Sequence, residues 1–245
     1  SFNKGKSKQS YPSSLMGTIA LMRQTNYDAK YYAVNSKELG TDLSLQAVNS
    51  NWKLPQIMEA KDKLNIIRAD KICDEFDYQY IFLGGGNSYQ RVEEIKATGG
   101  SLIIPIDFPK PYDVSDPYAA RMVTLAQMKH WELAPGNAKV LADHEIEFAI
   151  TLNGLKKKSD FLGNIRKMMS RGLTEQQALA ALTTTPARLI GMTESIGKLK
   201  EGFVANFIVT SGPVFEAKSV IHDNWVQGDQ YVLKAKDLMD VRGEY

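Results

Sequence analysis

The sequence has one cysteine, three histidines and almost no net charge, and each scarcity removes a class of chemistry. Cys73 alone forms no intrachain disulfide and no multi-cysteine zinc or iron–sulfur centre. A bilayer span needs ~20 apolar residues, and no run in the chain approaches that. The start Ser1-Phe2-Asn3-Lys4 is not followed by a signal-type apolar core. Thirty basic against 28 acidic side chains leave +2, too little for a broad field that gathers nucleic acid or anionic membrane. Aromatics are not interleaved with lysines on a strand platform either, so nucleic acid and membrane are both excluded as expected partners. The first residue is not methionine, which predicts a processed or excised piece. The compartment is left open, and an exported protein that has lost an upstream signal fits as well as any other.

What remains is ample for a core: 245 residues, 43% apolar, suffice for one large domain or a medium one with a small companion. Lys4, Lys6 and Lys8, set among serine and glycine, predict a flexible end over residues 1–14. From Leu15 a long helix is expected, with Leu15, Ile19 and Met22 at helical spacing; Tyr27, Tyr31 and Tyr32 fit either core or surface. A repeating order follows. Leu54 to Met58 reads as a strand, and Ala69, Ile72, Cys73 and Phe76 mark one face of a helix. Tyr80 to Leu83 reads as a strand before a glycine turn, and Tyr89, Val92 and Ile95 mark another helix. Leu102 to Ile106 is apolar without alternation, as in a strand covered on both faces. Pro109, Pro111 and Pro117 predict a loop and then a helix over Tyr118 to Leu133. Glu147 to Leu152 is the fourth strand. Leu162, Ile165, Met168 and Met169 place a helix ending near Gly172. Thr174 with Gln177 forms a capping box for the next helix, and Pro186 and Gly191 bracket a short helical turn. After Gly197 the runs Phe203 to Thr210, Ser219 to His222 and Trp225 to Gln227 predict a small β element. Alternating strands and helices imply a parallel α/β fold, and periodicity alone leaves a doubly wound sheet and a barrel both open.

Three ordered stretches narrow the choice: Gly172-Leu173-Thr174-Glu175-Gln176-Gln177-Ala178-Leu179, then Ala181 through Gly191, then Gly197 through Val209. Together they resemble the closing segment of the amidohydrolase superfamily, particularly its imidazolonepropionase-like branch. Asn206 stands where that family commonly has aspartate. The resemblance implies a partial TIM-barrel-like α/β domain over residues 15–196, made of the later βα units, with a small β-sandwich element over residues 197–245. It makes Leu54 to Ala60 the fifth barrel strand, Tyr80 to Gly85 the sixth, Leu102 to Ile106 the seventh and Phe148 to Gly154 the eighth.

Active members of that family hold divalent metal with histidines from the first, fifth and sixth strands, and use an aspartate ending the eighth as a base toward metal-bound water. By the same resemblance Glu59 stands at the fifth-strand position, Gly84 at the sixth and Asn153 at the eighth. A glutamate can ligate, but glycine has no ligand and a carboxamide is no base. A slip of one residue offers only Met58, Gly85 and Leu152. The His-any-His pair of the first strand has no counterpart. His130 beside Trp131 reads as a packing or helix-surface residue, and His222 as structural. His144, within Ala142-Asp143-His144-Glu145, makes a nominal cluster at the strand-entry end, away from the usual site. Gly84-Gly85-Gly86-Asn87 is a candidate anion cradle, although a tight βα turn explains it as well and no phosphate-loop or dinucleotide pattern completes it. Asp107 reads as a loop cap or a solvated carboxylate, Cys73 as a buried thiol, and Ser13-Ser14 belongs to no triad.

The expectation is an amidohydrolase-related module that is a pseudoenzyme as an isolated chain, without metal, supporting a larger protein or assembly. The alternative is part of a metal-dependent hydrolase acting on non-peptide C–N bonds, with zinc and the missing ligands completed by an upstream segment or partner. In both cases a half-barrel exposes sheet edges and inward residues, assigned here as Ile81, Leu83, Ile104 and Ile150. An upstream segment of the same polypeptide or a homo-oligomer partner is expected to cover them.

Overall fold

The computed structural model describes residue 2 and residues 10–235, so the end expected to be flexible lies mostly outside the described residues. The first helix, α1 (Leu15–Leu39), starts where the Ser14 side chain accepts from the Gly17 N–H, and it kinks at Asn35. The three tyrosines divide: Tyr31 is exposed, Tyr27 donates to Glu75 from the surface, and Tyr32 is buried. The Tyr32 hydroxyl donates to the Gly40 carbonyl and accepts from the Asp42 N–H, which folds α2 (Leu43–Asn51) back onto α1.

Four βα steps follow. They run β1 (Gln56–Glu59), α3 (Lys63–Phe76), β2 (Tyr80–Leu83), a 3₁₀ turn into α4 (Val92–Ala97), and β3 (Leu102–Pro105). Then come α5 (Pro117–Met122), α6 (Leu125–Leu133), a 3₁₀ turn into α7 (Asn137–Asp143), β4 (Phe148–Thr151), α8 (Phe161–Ser170), α9 (Glu175–Leu182) and α10 (Thr184–Leu189). The helix expected over Tyr118 to Leu133 is two. Thr124 leaves helical geometry and its hydroxyl caps the Gln127 N–H while Gln127 reaches back, so a second helix starts inside the expected one. The capping box at Thr174 and Gln177 is present as expected.

The four strands form one parallel sheet in the order β1-β2-β3-β4, in the register Met58↔Phe82, Phe82↔Leu102 and Leu102↔Phe148. Those four side chains lie on one face and pack beneath α3, α4, α7 and α8 with Ile66, Ile95, Leu141 and Ile165. Two of the expected inward residues are corrected: Ile104 and Ile150 share the parity of Leu102 and point into this helix-covered core. Residues alternate between faces along a strand, so Ile57, Ile81, Leu83 and Ile103 lie on the other side. There Ile57 is 54% exposed and the others are partly exposed. Among the described residues the sheet is open, with β1 and β4 at its edges.

The last segment makes β5 (Phe207–Thr210), β6 (Ile221–Val226) and β7 (Asp229–Val232), a three-stranded antiparallel sheet. The runs at Ser219 to His222 and Trp225 to Gln227 belong to the single strand β6 and its flanks, and β7 adds a strand that was not expected. The described residues supply one layer here, where a sandwich element was expected. Phe215 plugs this segment into the main core, and the Arg166 side chain donates to the Phe215 carbonyl at 2.7 Å. No helix among the described residues is long and apolar enough to cross a membrane.

Candidate site at the carboxy end of the parallel sheet

Parallel strands release their loops at one end, and side chains at that end converge on a common rim. Here the rim holds Glu59 at the end of β1, Gly84 after β2, Asp107 beyond β3 and Asn153 beyond β4. The topology therefore brings the expected positions to one side of the molecule. The Glu59 carboxylate is ion-paired with Lys61 at 2.8 Å. Gly84 is buried and its N–H donates to the Ile103 carbonyl at 2.9 Å. Asn153 is exposed, with its N–H donating to the Thr151 hydroxyl at 3.2 Å.

The glycine turn owes its composition to packing. A Cβ on Gly85 would stand 1.7 Å from the Lys61 carbonyl oxygen, so the loop after β1 fills the space a side chain would need. Gly86 has φ +80°, a left-handed conformation that favours glycine. Asn87 is committed as a cross-brace. Its carboxamide donates to Asp62 at 2.9 Å and accepts from the Lys63 N–H at 3.0 Å. Asp62 in turn caps α3 through the Leu64 N–H. Burial pushes the Asp62 carboxyl up, but the hydrogen bonds from Asn87 and Leu64, with Lys63 and Arg68 nearby, hold it below the usual range.

Beside this turn lies a cleft of about 220 Å³, lined by Gly85, Gly86, Pro105, Asp107, Phe108 and His130 among others. His130, expected as a packing or helix-surface residue, lies on a helix with its ring stacked against Tyr89, and it also lines this cleft. It comes from α6, a distant element, and its Nδ1 is 3.0 Å from the Tyr89 hydroxyl. Tyr89 also accepts from Gln90, whose carbonyl accepts from Lys63 at 2.6 Å, so a chain of side chains runs from a surface ammonium to the imidazole. Burial, and then the Lys63 charge, lower the His130 pKa, which favours neutral imidazole. No periodicity could announce this, because the arrangement depends on the break at Thr124.

The other singled-out residues lie elsewhere. His144 caps α7 at the strand-entry end, with Nδ1 2.8 Å from the Val140 carbonyl and Nε2 3.1 Å from Glu93. His222 sits in the small sheet, its Nδ1 3.0 Å from the Lys234 carbonyl. Cys73 is buried in the core, and burial pushes its thiol up to about 12, the setting of an inert thiol. Among the described residues no three His, Cys, Asp or Glu side chains are placed to hold a metal ion. The rim residues do not fit a divalent metal site: one strand position lacks a side chain and another offers only a carboxamide.

A four-stranded parallel sheet with a rim of this kind, followed by a small antiparallel sheet, has relatives. Residues 135–231 match the model of the Amidohydrolase family. That stretch contains the capping box, α10 and most of the small sheet. The chain is similar in fold to an amidohydrolase from Thermotoga maritima, with TM-score 0.70 and 21% identity over 89% of this chain and 56% of that one. It is also similar to a second amidohydrolase, TM-score 0.52 and 13% identity over 74% of this chain and 45% of the other. A prolidase complexed with N-methylphosphonate-L-proline gives TM-score 0.50 and 13% identity over 72% and 44%. The amidohydrolase-like chain thus spans about half the length of these structures. No curated protein matches it. The likeness is to amidohydrolases in general and singles out no imidazolonepropionase-like branch.

Proposed function

We propose that this chain is a carboxy-terminal amidohydrolase-like module, non-catalytic by itself, that supports a larger protein or assembly. It divides into a half-barrel over residues 15–196 and a companion over 197–245. The observation that carries the reading is Gly84: at the end of β2, where the resemblance calls for a histidine ligand, the chain has no side chain at all. The packing of Gly85 against Lys61 supports reading Gly84-Gly85-Gly86-Asn87 as a tight connection rather than an anion cradle. The apolar face that bears Ile57, Ile81, Leu83 and Ile103 supports a covering partner, an upstream segment of the same polypeptide or a second copy. Burying one such side chain stabilises by roughly 1.5–3 kcal/mol.

A second reading, part of a hydrolase for non-peptide C–N bonds completed by an upstream segment, is favoured by one observation. The cleft at the rim contains the His130 imidazole, whose pKa burial lowers, and the Asp107 side chain. Zinc content after purification without chelators, with amidase and lactamase assays before and after metal removal, separates the two. The expected result is no stoichiometric zinc and no metal-dependent turnover. Tight zinc whose removal abolishes hydrolysis would sink the first reading. Light scattering of the chain is expected to show self-association that an upstream barrel fragment suppresses.

A further inference from the structure

A second cavity lies at the opposite end of the sheet from the rim. Gln56 and Tyr80 are register partners at the first positions of β1 and β2. Between them and the α1–α2 pair is a space of about 360 Å³, which also meets Asn26, Val48, Trp52 and Tyr78. Its lining is aromatic, aliphatic, amide and hydroxyl, and none of the lining residues carries a formal charge. A volume above ~300 Å³, mostly apolar walls and a few convergent polar groups are the attributes of a small-molecule site.

The polar groups set the ligand's chemistry. The Tyr78 and Tyr80 hydroxyls are 2.7 Å apart, and the Asn26 carboxamide donates to Tyr78 at 3.3 Å. Two hydroxyls carry two protons, and one proton lies between them whichever oxygen donates. With the Asn26 amide nitrogen turned toward Tyr78, the other proton is available to an acceptor in the cavity. Both tyrosines line the cavity, so an acceptor on a bound molecule can take that proton. The nearly parallel rings of Trp52 and Tyr78, 27° apart in plane, offer faces on which a flat molecule can stack. A charged ligand would find no counter-charge in the walls and would lose its hydration. Burial also pushes both tyrosines up, so the hydroxyls keep their protons across the neutral range.

We infer that this amino-end cavity is a binding site for an uncharged planar molecule bearing a hydrogen-bond acceptor, stacked on Trp52 or Tyr78 and accepting the spare proton of the Tyr78–Tyr80 pair. It is independent of the rim and of any activity there. Ligand-observed NMR on the full chain tests it with benzamide, toluene and benzoate as probes. Benzamide is expected to bind saturably, and toluene, which lacks the acceptor, about tenfold more weakly, the worth of one hydrogen bond. Benzoate, flat but charged, is expected not to bind. Val48→Trp should fill the cavity and abolish benzamide binding while the melting transition is retained. The double change Tyr78→Phe and Tyr80→Phe should erase the preference for benzamide over toluene. The wild-type probe series alone keeps the inference falsifiable if a variant fails to fold. No saturable benzamide signal at millimolar concentration, equal binding of benzoate, or benzamide binding unaltered by Val48→Trp would each overturn it.

Discussion

The two faces of the parallel sheet are built from the same kind of residue and live in different surroundings. Met58, Phe82, Leu102 and Phe148 on one face are sealed beneath helices. Ile57, Ile81, Leu83 and Ile103, displaced by one residue on the first three strands, are partly or largely open, and Ala149 of β4 is the buried member of that face. A run apolar on both parities suits a strand covered on both sides, and that is the ground for the covering partner proposed above. Among the described residues, helices cover one of the two faces.

The sharpest way to break the comparison is a pair of truncations at adjacent positions of β2. Phe82→Ala should cost about 3–5 kcal/mol in denaturant unfolding, because it empties a packed core. Leu83→Ala should cost only about 1 kcal/mol in the isolated chain, rising when a covering segment is present. Equal costs in the isolated chain would mean that both faces are already sealed. A second pair sits where the sheet ends. Gly85→Ala meets the Lys61 carbonyl oxygen and should destabilise by about 1–3 kcal/mol, the scale of overpacking. Gly84→Ala, whose nearest contacts are 3.7 Å away, should fold nearly as well as the parent in thermal melting.

The smallest effect concerns the helix layer. Asp62→Ala removes the cap of α3 and should cost about 0.5–2 kcal/mol. Because the Asp62 carboxyl is held below its usual range, its contribution is fully present above the unfolded value near ~3.9 and is lost as pH falls through the lower folded value. The stability difference between parent and variant should shrink with acidification over that window. A difference that is constant with pH would remove the carboxylate from the account.

Much of the fold was legible because its signals are local. The four strand runs lie within two residues of the observed strands, and Thr174 with Gln177 announced its helix by side-chain chemistry alone. Orientation was harder. Grouping Ile81 and Leu83 with Ile104 and Ile150 overlooked that Leu83 pairs with Ile103, which fixes Ile104 on the opposite face. Register is a relation between strands, and one strand's pattern does not contain it. The break at Thr124 was readable in principle, since Thr124 and Gln127 have the same spacing as the recognised box. The rim positions Glu59, Gly84 and Asn153 came from the family resemblance, and they lie at or just beyond strand ends. His130 arrives through a long connection, and the glycine turn needed the path of Lys61 to be understood.

One carboxamide ties two successive connections together. Asn87 belongs to the loop leaving β2, yet it holds the Lys63 N–H and the Asp62 carboxylate of the loop leaving β1. Neither loop can swing outward without giving up bonds to the other, so the pair should open as one cooperative unit. Solvent exchange at the Lys63 amide then reports motion of a glycine turn more than twenty positions along the chain. Deleting the Asn87 side chain should speed exchange in both loops at once.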